Sequence, residues 1–124
     1  MGDAVAVLYR MREYRKRTAS LSSAEAERAC RDQEDRVDEI KDAIDRSHTD
    51  EEVVEATWLA QQHAYRGRMS LRLRRENVRL DAVRSTADTR RKELNEATRD
   101  ANVLEEVLET RAEQKSAAQK RANA

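Results

Sequence analysis

The sequence predicts an all-α protein in which two long helices form an antiparallel coiled-coil hairpin, with the C-terminal helix longer and overhanging. Proline is absent and glycine occurs twice in 124 residues, whereas folds rich in tight turns need both residues. Charged residues make up 40% of the chain and aromatic residues 3%, which suits a narrow apolar seam better than a globular interior. The 25 basic and 25 acidic residues cancel, which favours helix over disorder.

The first helix is predicted from about residue 3 to residue 46, within a single domain that covers residues 1–124. Val37, Ile40 and Ile44 follow heptad spacing near its end. Farther back, the seam thins to small residues, which are Ala19, Ser22, Ala26, Ala29 and Cys30. The first half of this helix is therefore expected to form the weaker half of the seam.

A turn is predicted at residues 47–50, where four consecutive turn and cap formers begin at Ser47. Thr49 and Glu52 have the spacing of a capping box, which indicates a helix N-terminus at this point. The second helix is therefore predicted from about residue 50 to about residue 120. A connection this short makes the two helices antiparallel neighbours.

The second helix has the clearer repeat. One set of positions recurs every seven residues, at Leu73, Leu80, Ala87, Leu94, Ala101 and Leu108. The companion positions of the same heptads are Met69, Val83, Ala97 and Leu104, with interruptions at Glu76 and Arg90. A repeat sustained over about five heptads indicates a left-handed coiled coil.

The two helices are expected to differ in reach. Folding the chain at about His48 would place residues whose numbers add up to about 97 opposite one another. The first helix would then end near Val5, opposite about residue 92, so the heptads from Leu94 to Leu108 would have no partner in their own chain. Another chain would have to cover this seam, because an unpaired apolar seam frays in water.

Charge is segregated along the chain although the total is zero. Residues 32–55 contain 11 acidic and 3 basic residues, and residues 66–92 contain 10 basic and 3 acidic residues. Residues 10–17 add 5 basic residues against 1 acidic residue, and residues 93–113 return to 7 acidic against 2 basic. Segments of alternating sign would orient the protein in a charged partner.

No arrangement of catalytic residues occurs, and the chain is predicted not to be an enzyme. His48 and His63 lack metal-ligand spacing, Cys30 is alone, and neither a glycine-rich phosphate loop nor a nucleophile elbow is present. No cofactor and no metal are therefore expected. The chain also lacks an apolar run of about 18 residues and a secretory leader, which predicts a soluble protein of a reducing compartment without direct membrane insertion.

Two features have both a structural and a binding interpretation. Trp58, Gln62 and Tyr65 share one helix face, where they could complete the hairpin core or form a partner-binding patch. The basic segment from Arg66 to Lys92 could bind nucleic acid, but overall neutrality, acidic flanking segments and the lack of interleaved aromatic residues favour a solvated helix face. No nucleic-acid partner is therefore expected.

Segments near both ends of the chain resemble FliJ, the flagellar export stalk family, and its injectisome counterparts, the YscO-like proteins of type III secretion. Leu8 to Glu13 is similar to the "L-x-x-x-R-E" start of that family, and Arg99 to Arg111 resembles its C-terminal "A-x-x-x-x-L-E-x-L-x-E-x-R" segment. Trp58 to Tyr65 stands where such proteins often have aromatic residues. The two antiparallel helices, the longer second helix and the adjacent termini also agree with the family architecture.

The resemblance implies a non-enzymatic central stalk, similar to the γ stalk of rotary ATPases. The paired termini would enter a hexameric export ATPase, promote hexamer assembly and couple hydrolysis to protein transport. The remainder would contact the export gate membrane protein or export chaperones, and the protein would be cytoplasmic and peripheral to the membrane export apparatus. The implied ATPase contacts are Arg10, Arg12, Leu94, Ala97, Ala101, Leu104, Leu108 and Arg111. The implied gate or chaperone contacts are Trp58, Gln62 and Tyr65.

Two other functions are compatible with the residues. One is a self-associating structural coiled coil, in which the overhangs of two chains pair with each other. Leu94→Glu would then produce a monomer, whereas a stalk would be monomeric already. The other is a nucleic-acid adaptor acting through its basic middle segment, which a salt-sensitive mobility shift would reveal.

Overall fold

The computed structural model describes residues 3–47 and 55–124, and these ranges form two long α-helices. Helix α1 spans Asp3–Arg46 with 44 residues, and helix α2 spans Ala56–Ala122 with 67 residues. No strand occurs in the described part of the chain. The helices pack against each other, which confirms the predicted all-α helical hairpin with a longer C-terminal helix.

The start of α2 differs from the predicted one. The sequence placed it at about residue 50, whereas Glu55 is not helical and α2 begins at Ala56. The capping residues on which that prediction rested lie outside the described residues, as does all of the predicted turn except Ser47. Within the described residues, α2 therefore begins later than the sequence suggested.

Ser47 directly follows the last residue of α1 and forms several hydrogen bonds at the end of this helix. The Ser47 amide donates to the Ala43 and Ile44 carbonyls at 3.2 and 3.1 Å, and its hydroxyl donates to the Ile44 carbonyl at 2.6 Å. From α2, the Arg66 guanidinium donates to the Ser47 carbonyl at 2.8 Å and to its hydroxyl at 3.2 Å. Carbonyl groups at a helix C-terminus lack intrahelical donors, so these bonds stabilise the end of α1 and attach it to α2.

The chain divides into two compact units. The terminal unit comprises residues 1–24 and 89–124, and the middle unit comprises residues 25–88. Within the described residues, each unit is an antiparallel pair made of one segment of α1 and one segment of α2. The first and last described residues of the chain therefore belong to the same unit.

The core of the middle unit is a narrow seam in heptad register. Val37 and Ile40 are 2% and 3% exposed, and Leu80 and Ala87 are 7% and 6% exposed. The intervening heptad positions are half-buried and are occupied by Ile44, Met69, Leu73 and Val83. Burying an aliphatic side chain contributes about 1.5–3 kcal/mol, so this seam is the main apolar stabilisation of the unit.

A buried polar contact interrupts this seam at Glu76. The Gln33 side chain is 6% exposed, and its Nε2 donates to the Glu76 carbonyl at 3.0 Å and to the Glu76 carboxylate at 2.5 Å. The hydrogen bond from the Gln33 amide is the main cause of a lowered pKa at Glu76. Burial opposes this shift, and the positive charges of Arg79, Arg36 and Arg72 contribute smaller shifts that lower the pKa further. The interruption seen in the heptad repeat is therefore a satisfied hydrogen-bonded pair between α1 and α2.

The terminal unit has a seam with unequal contributions from its two helices. From α2, Ala101 is fully buried and Leu104 is 8% exposed. From α1, Ser23 is 4% exposed, and the half-buried heptad positions are occupied by Tyr9, Arg12, Lys16 and Ala19. Helix α2 therefore supplies most of the apolar surface, while α1 supplies small and polar side chains. Ser23, and not the predicted Ser22, is the buried serine.

The predicted pairing of the two helices is wrong. Arg12 donates to the Asp100 carbonyl at 3.2 Å, whereas the predicted register would place residue 12 opposite about residue 85. The Gln33–Glu76 contact in the middle unit departs from the predicted register in the same direction. The shift is about two heptads, and a shift by whole heptads leaves the same helix faces buried. The buried positions were therefore predictable while their partners were not.

The shift changes which part of α2 is uncovered. The heptads from Leu94 to Leu108 are covered within the terminal unit, since Ala101 is fully buried, so the prediction that they lack a partner in their own chain is wrong. Beyond Leu108, residues 109–124 are exposed throughout. The overhang of the longer helix therefore begins after the apolar heptads and is polar.

Leu104→Ala is expected to lower the free energy of unfolding by about 2 kcal/mol, because it deletes buried methyl groups from the seam of the terminal unit. The adjacent Val103 is 56% exposed, so Val103→Ala is the matched control and should change stability by less than about 0.5 kcal/mol. Urea denaturation followed by circular dichroism measures both. Equal small effects would show that Leu104 is not covered and would restore the predicted open seam.

Acidification is expected to weaken the middle unit through Glu76. Its pKa is lowered from the ordinary value of 4.5, so its contribution is complete at neutral pH and is lost as the pH falls through the lowered pKa. Glu76→Gln removes the titrating group while keeping an acceptor for Gln33. Between about pH 7 and about pH 3, the variant should lose less unfolding free energy than the wild type in urea denaturation. An equal loss in both proteins would contradict this role of Glu76.

Candidate partner-binding surfaces

Each of the two predicted contact sets lies within a single unit. The implied ATPase contacts all belong to the terminal unit, where α1 supplies Arg10 and Arg12 and α2 supplies the others. The implied gate or chaperone contacts belong to the middle unit, near the start of α2, and are Trp58, Gln62 and Tyr65. Each set is therefore confined to one unit.

The apolar members of the first set face the helix interface. Ala101 is fully buried, Leu104 is buried, and the half-buried members are Leu94, Ala97 and Leu108. They pack α1 and α2 together, so a partner of this unit would meet the outer helix faces. Leu94→Glu would place a carboxylate in this seam and destabilise the unit, which makes it unsuitable as a test of self-association.

The three arginines of the first set differ in accessibility. Arg12 is half-buried, and its Nη1 donates to the Asp100 carbonyl of α2. Arg10 and Arg111 are exposed. A guanidinium is always charged and presents several donors in a planar fork, so exposed arginines are suited to carboxylates of a partner. Arg10 and Arg111 are therefore the accessible cationic contacts of the set, and Arg12 links the two helices.

Tyr9 is a feature of the terminal unit that the sequence reasoning missed. Burial raises the pKa of the Tyr9 hydroxyl, and the carboxylates of Glu13, Glu105 and Glu109 raise it further. The hydroxyl therefore stays protonated and donates to Glu13. Carboxylates of both helices surround it, next to the basic residues of α1. Its spacing in the sequence could have indicated this burial, because Tyr9 lies three residues before Arg12 and belongs to the same half-buried heptad series of α1.

The second predicted set only partly forms one surface. A depression of about 330 Å³ is lined by Ala43, Arg46, Ser47, Gln62 and Tyr65. Trp58 is half-buried but does not line it. The Gln62 Oε1 atom is buried and accepts no hydrogen bond from the described residues. The depression is therefore a small feature of mixed polarity, formed where α1 ends.

The basic segment of α2 is partly engaged within the middle unit. Arg79 pairs with Glu76 at 3.0 Å, and Arg84 pairs with Glu34 of α1 at 3.5 Å. Arg66 binds the end of α1 through Ser47. The remaining arginines of this segment within the unit are exposed and are Arg68, Arg72, Arg74 and Arg75. Part of the segment is therefore paired within the unit, and part of it is a solvated helix face.

The described residues contain no group of three His, Cys, Asp or Glu side chains that could hold a metal ion. Among the same residues, neither helix is apolar enough over a sufficient length to cross a membrane. The Cys30 thiol is half-buried and donates to the Glu34 carboxylate at 3.7 Å. His63 is exposed, and His48 lies outside the described residues.

An exposed apolar stripe on α1 was also missed by the sequence reasoning. Its members are at least about half exposed, spaced four, three and seven residues apart, and are Val7, Met11, Tyr14 and Leu21. The missed signal was a second heptad series displaced by two residues from the buried one. The stripe lies on the terminal unit, beside the predicted contact Arg10.

No protein-family model matches the chain, and neither a curated protein nor a solved structure matches it. The resemblance to the export stalk family therefore rests on the residues of the two motif segments and stays a prediction. The surfaces described above supply the physical argument for a function.

Gln62→Leu is expected to leave the free chain as stable as the wild type or more stable by up to about 1 kcal/mol, because it removes a buried acceptor that has no donor among the described residues. Gln61 is exposed on the same helix, so Gln61→Leu is the control for the added hydrophobicity. Urea denaturation measures both variants. A loss of more than about 1 kcal/mol for Gln62→Leu alone would show that the amide is bonded in the free chain.

Proposed function

We propose that the chain is a non-enzymatic central-stalk protein of a type III secretion export ATPase. In this role it promotes assembly of the ATPase hexamer and links the ATPase to the export gate or to export chaperones. It acts in the cytoplasm, peripheral to the membrane export apparatus. The terminal unit is the part that meets the ATPase, and the middle unit is the part that meets the gate or chaperones.

The meeting of the two motif segments is the observation that supports this function best. Leu8–Glu13 and Arg99–Arg111 are far apart in the sequence but belong to one unit. Arg12 of the first segment donates to the carbonyl of Asp100 in the second segment at 3.2 Å. The hydroxyl of Tyr9, in the first segment, lies in the field of Glu105, in the second. The two segments on which the resemblance rests are thus neighbours on one pair of helices, as a stalk that enters a pore by its paired termini requires.

The contact residues of such a stalk are the exposed ones. Arg10 and Arg111 are accessible on the terminal unit, whereas the apolar seam from Leu94 to Leu108 keeps α1 and α2 together. Rotation within a ring of subunits needs a stiff shaft with weak, repeated surface contacts, and exposed charges provide such contacts. The exposed arginines would therefore bind the ATPase, and the seam would hold α1 and α2 together as the helix pair that presents them.

The depression at Gln62 and Tyr65 is the proposed contact for the gate or a chaperone. It is lined by the half-buried side chains of Gln62 and Tyr65. An aromatic side chain beside a polar group is a frequent anchor at protein interfaces. Trp58 lies in the same unit one turn before Gln62 and extends the apolar surface available to the partner.

The test is reconstitution with the export ATPase of the native host. Adding the wild-type chain should increase the hexamer fraction, measured by mass photometry, and the rate of ATP hydrolysis. Arg10→Glu combined with Arg111→Glu should weaken the effect by about tenfold or more, because two exposed interface charges are reversed. Arg68→Glu combined with Arg74→Glu makes the same charge change on exposed residues of the middle unit and should leave the effect intact.

Three outcomes would contradict the proposal. An ATPase whose assembly and hydrolysis ignore the wild-type chain would exclude the stalk function. A pull-down from host lysate that recovers only untagged copies of the chain, with the ATPase detected in the input, would favour a self-associating coiled coil. A salt-sensitive mobility shift with nucleic acid that is lost when Arg68→Glu is combined with Arg74→Glu would favour a nucleic-acid adaptor.

A further inference from the structure

The terminal unit presents an apolar stripe on the face of α1 opposite to its seam with α2. The stripe consists of Val7, Met11, Tyr14 and Leu21, which are 49%, 53%, 70% and 67% exposed. Each lies two residues after a buried or half-buried heptad position such as Tyr9 or Arg12, and two residues turn an α-helix by about 200°. Helix α1 therefore has two heptad series on opposite faces, of which the described residues cover one.

The spacing of this stripe distinguishes it from scattered exposed hydrophobic residues, which are common on protein surfaces. Intervals of four and three residues are those of the core positions of a coiled coil, where each side chain enters a hole on a facing helix. Val7, Met11 and Tyr14 line a surface depression of about 420 Å³ together with Arg10 and Arg15. The stripe thus has the shape and periodicity of a second coiled-coil seam.

The flanks of the stripe have a single charge sign. Arg10 and Arg17 lie along one side and Arg15 along the other, and all three are exposed. Glu13, the acidic residue in this stretch, is half-buried and directed to Tyr9. In a coiled coil, residues that flank the apolar seam select the partner through opposite charges. The flanks therefore require a partner with acidic residues.

We propose that this stripe is a docking site for an acidic amphipathic α-helix of another protein, which packs along α1 as a third helix. The partner helix has apolar residues at heptad spacing, flanked by glutamate or aspartate. The inference does not depend on the proposed stalk function, since it follows from the exposure, spacing and charge of the stripe itself.

A second copy of the chain fits the stripe less well. Two copies of the stripe facing each other would bring their arginine flanks together, and like charges across an interface are unfavourable. The acidic part of α2 in this unit exposes Val103 and Val107 as its large hydrophobic residues, with Asp100 at the next position of that face. It therefore supplies two apolar side chains for a stripe of four. Nucleic acid is also a poor fit, because Tyr14 is the one aromatic member of the stripe and the other three members offer no stacking surface.

The test uses the full chain and a synthetic peptide of about four heptads, with leucine at the core positions and glutamate at the flanking positions. The glutamates repel one another, which prevents the peptide from pairing with itself. A second peptide with lysine in place of every flanking glutamate is the charge control. Fluorescence anisotropy of the labelled peptides measures binding, and circular dichroism measures the helix gained.

The test includes a pair of variants matched in exposure. Met11→Ser combined with Tyr14→Ser removes the centre of the stripe, while Leu71→Ser combined with Val78→Ser removes side chains that are 54% and 69% exposed on the middle unit. The glutamate peptide should bind the wild type and the middle-unit variant with equal affinity, and the stripe variant at least tenfold more weakly. The lysine peptide should bind the wild type at least tenfold more weakly than the glutamate peptide, and added salt should reduce the difference.

Several results would overturn the inference. These are no binding of the glutamate peptide, equal binding to the stripe and middle-unit variants, or equal binding of the two peptides. Sedimentation showing a dimer of the free chain that the stripe variant dissociates would assign the stripe to a second copy. Binding of a single-stranded oligonucleotide that the stripe variant loses would assign it to nucleic acid. None of these measurements involves the ATPase, so the inference and the proposed function fail or succeed separately.

Discussion

The hydrogen bonds of Gln33 to Glu76 set the alignment of α1 and α2 within the middle unit. A heptad seam alone leaves the alignment free to slip by whole heptads, because every such shift presents apolar side chains to apolar side chains. A slip of one heptad would bring the Gln33 amide against Met69 or Val83, which offer no side-chain acceptor. The buried amide would then lose its carboxylate partner, which disfavours such a slip. The polar pair therefore favours one register among several of similar apolar content.

The thinness of the seam explains why polar contacts have so much influence here. Leucine, isoleucine and valine are sparse, and much of α1 places small or polar side chains such as Ser23 in its heptad positions. Additional bonds between the helices therefore matter in each unit: Arg66 to Ser47 in the middle unit and Arg12 to Asp100 in the terminal unit. In each of these bonds, an arginine of one helix donates to a backbone carbonyl at the other helix and so links the two helices.

The inner faces of the two helices form the seam, so the outer faces are the surfaces available to a partner. The face of each helix that meets the other is occupied by the seam, so residues once expected to bind a partner, such as Ala101 and Leu104, stabilise the fold. The outer faces retain the exposed arginines and the stripe of Val7, Met11 and Tyr14. A stalk that contacts a ring of subunits and a helix that accepts a third helix both need such outer faces. The depression at Gln62 provides a separate surface on the other unit.

The sequence by itself determined the two helices and the apolar heptad positions of the second helix, because periodicity depends on local spacing along one helix. It did not identify Ser23 and Gln33 as buried residues of the first helix. It could not determine the pairing of the helices, since a shift of whole heptads preserves the same pattern. The predicted overhang of Leu94 to Leu108 failed for this reason, although those residues were correctly placed on one face. The partners of Gln33 and Arg12 also required the tertiary structure, because a side chain's hydrogen-bond partner depends on which residue of the facing helix lies opposite. The exposed stripe on α1 became recognisable once the structure showed which of two heptad series on that helix was covered.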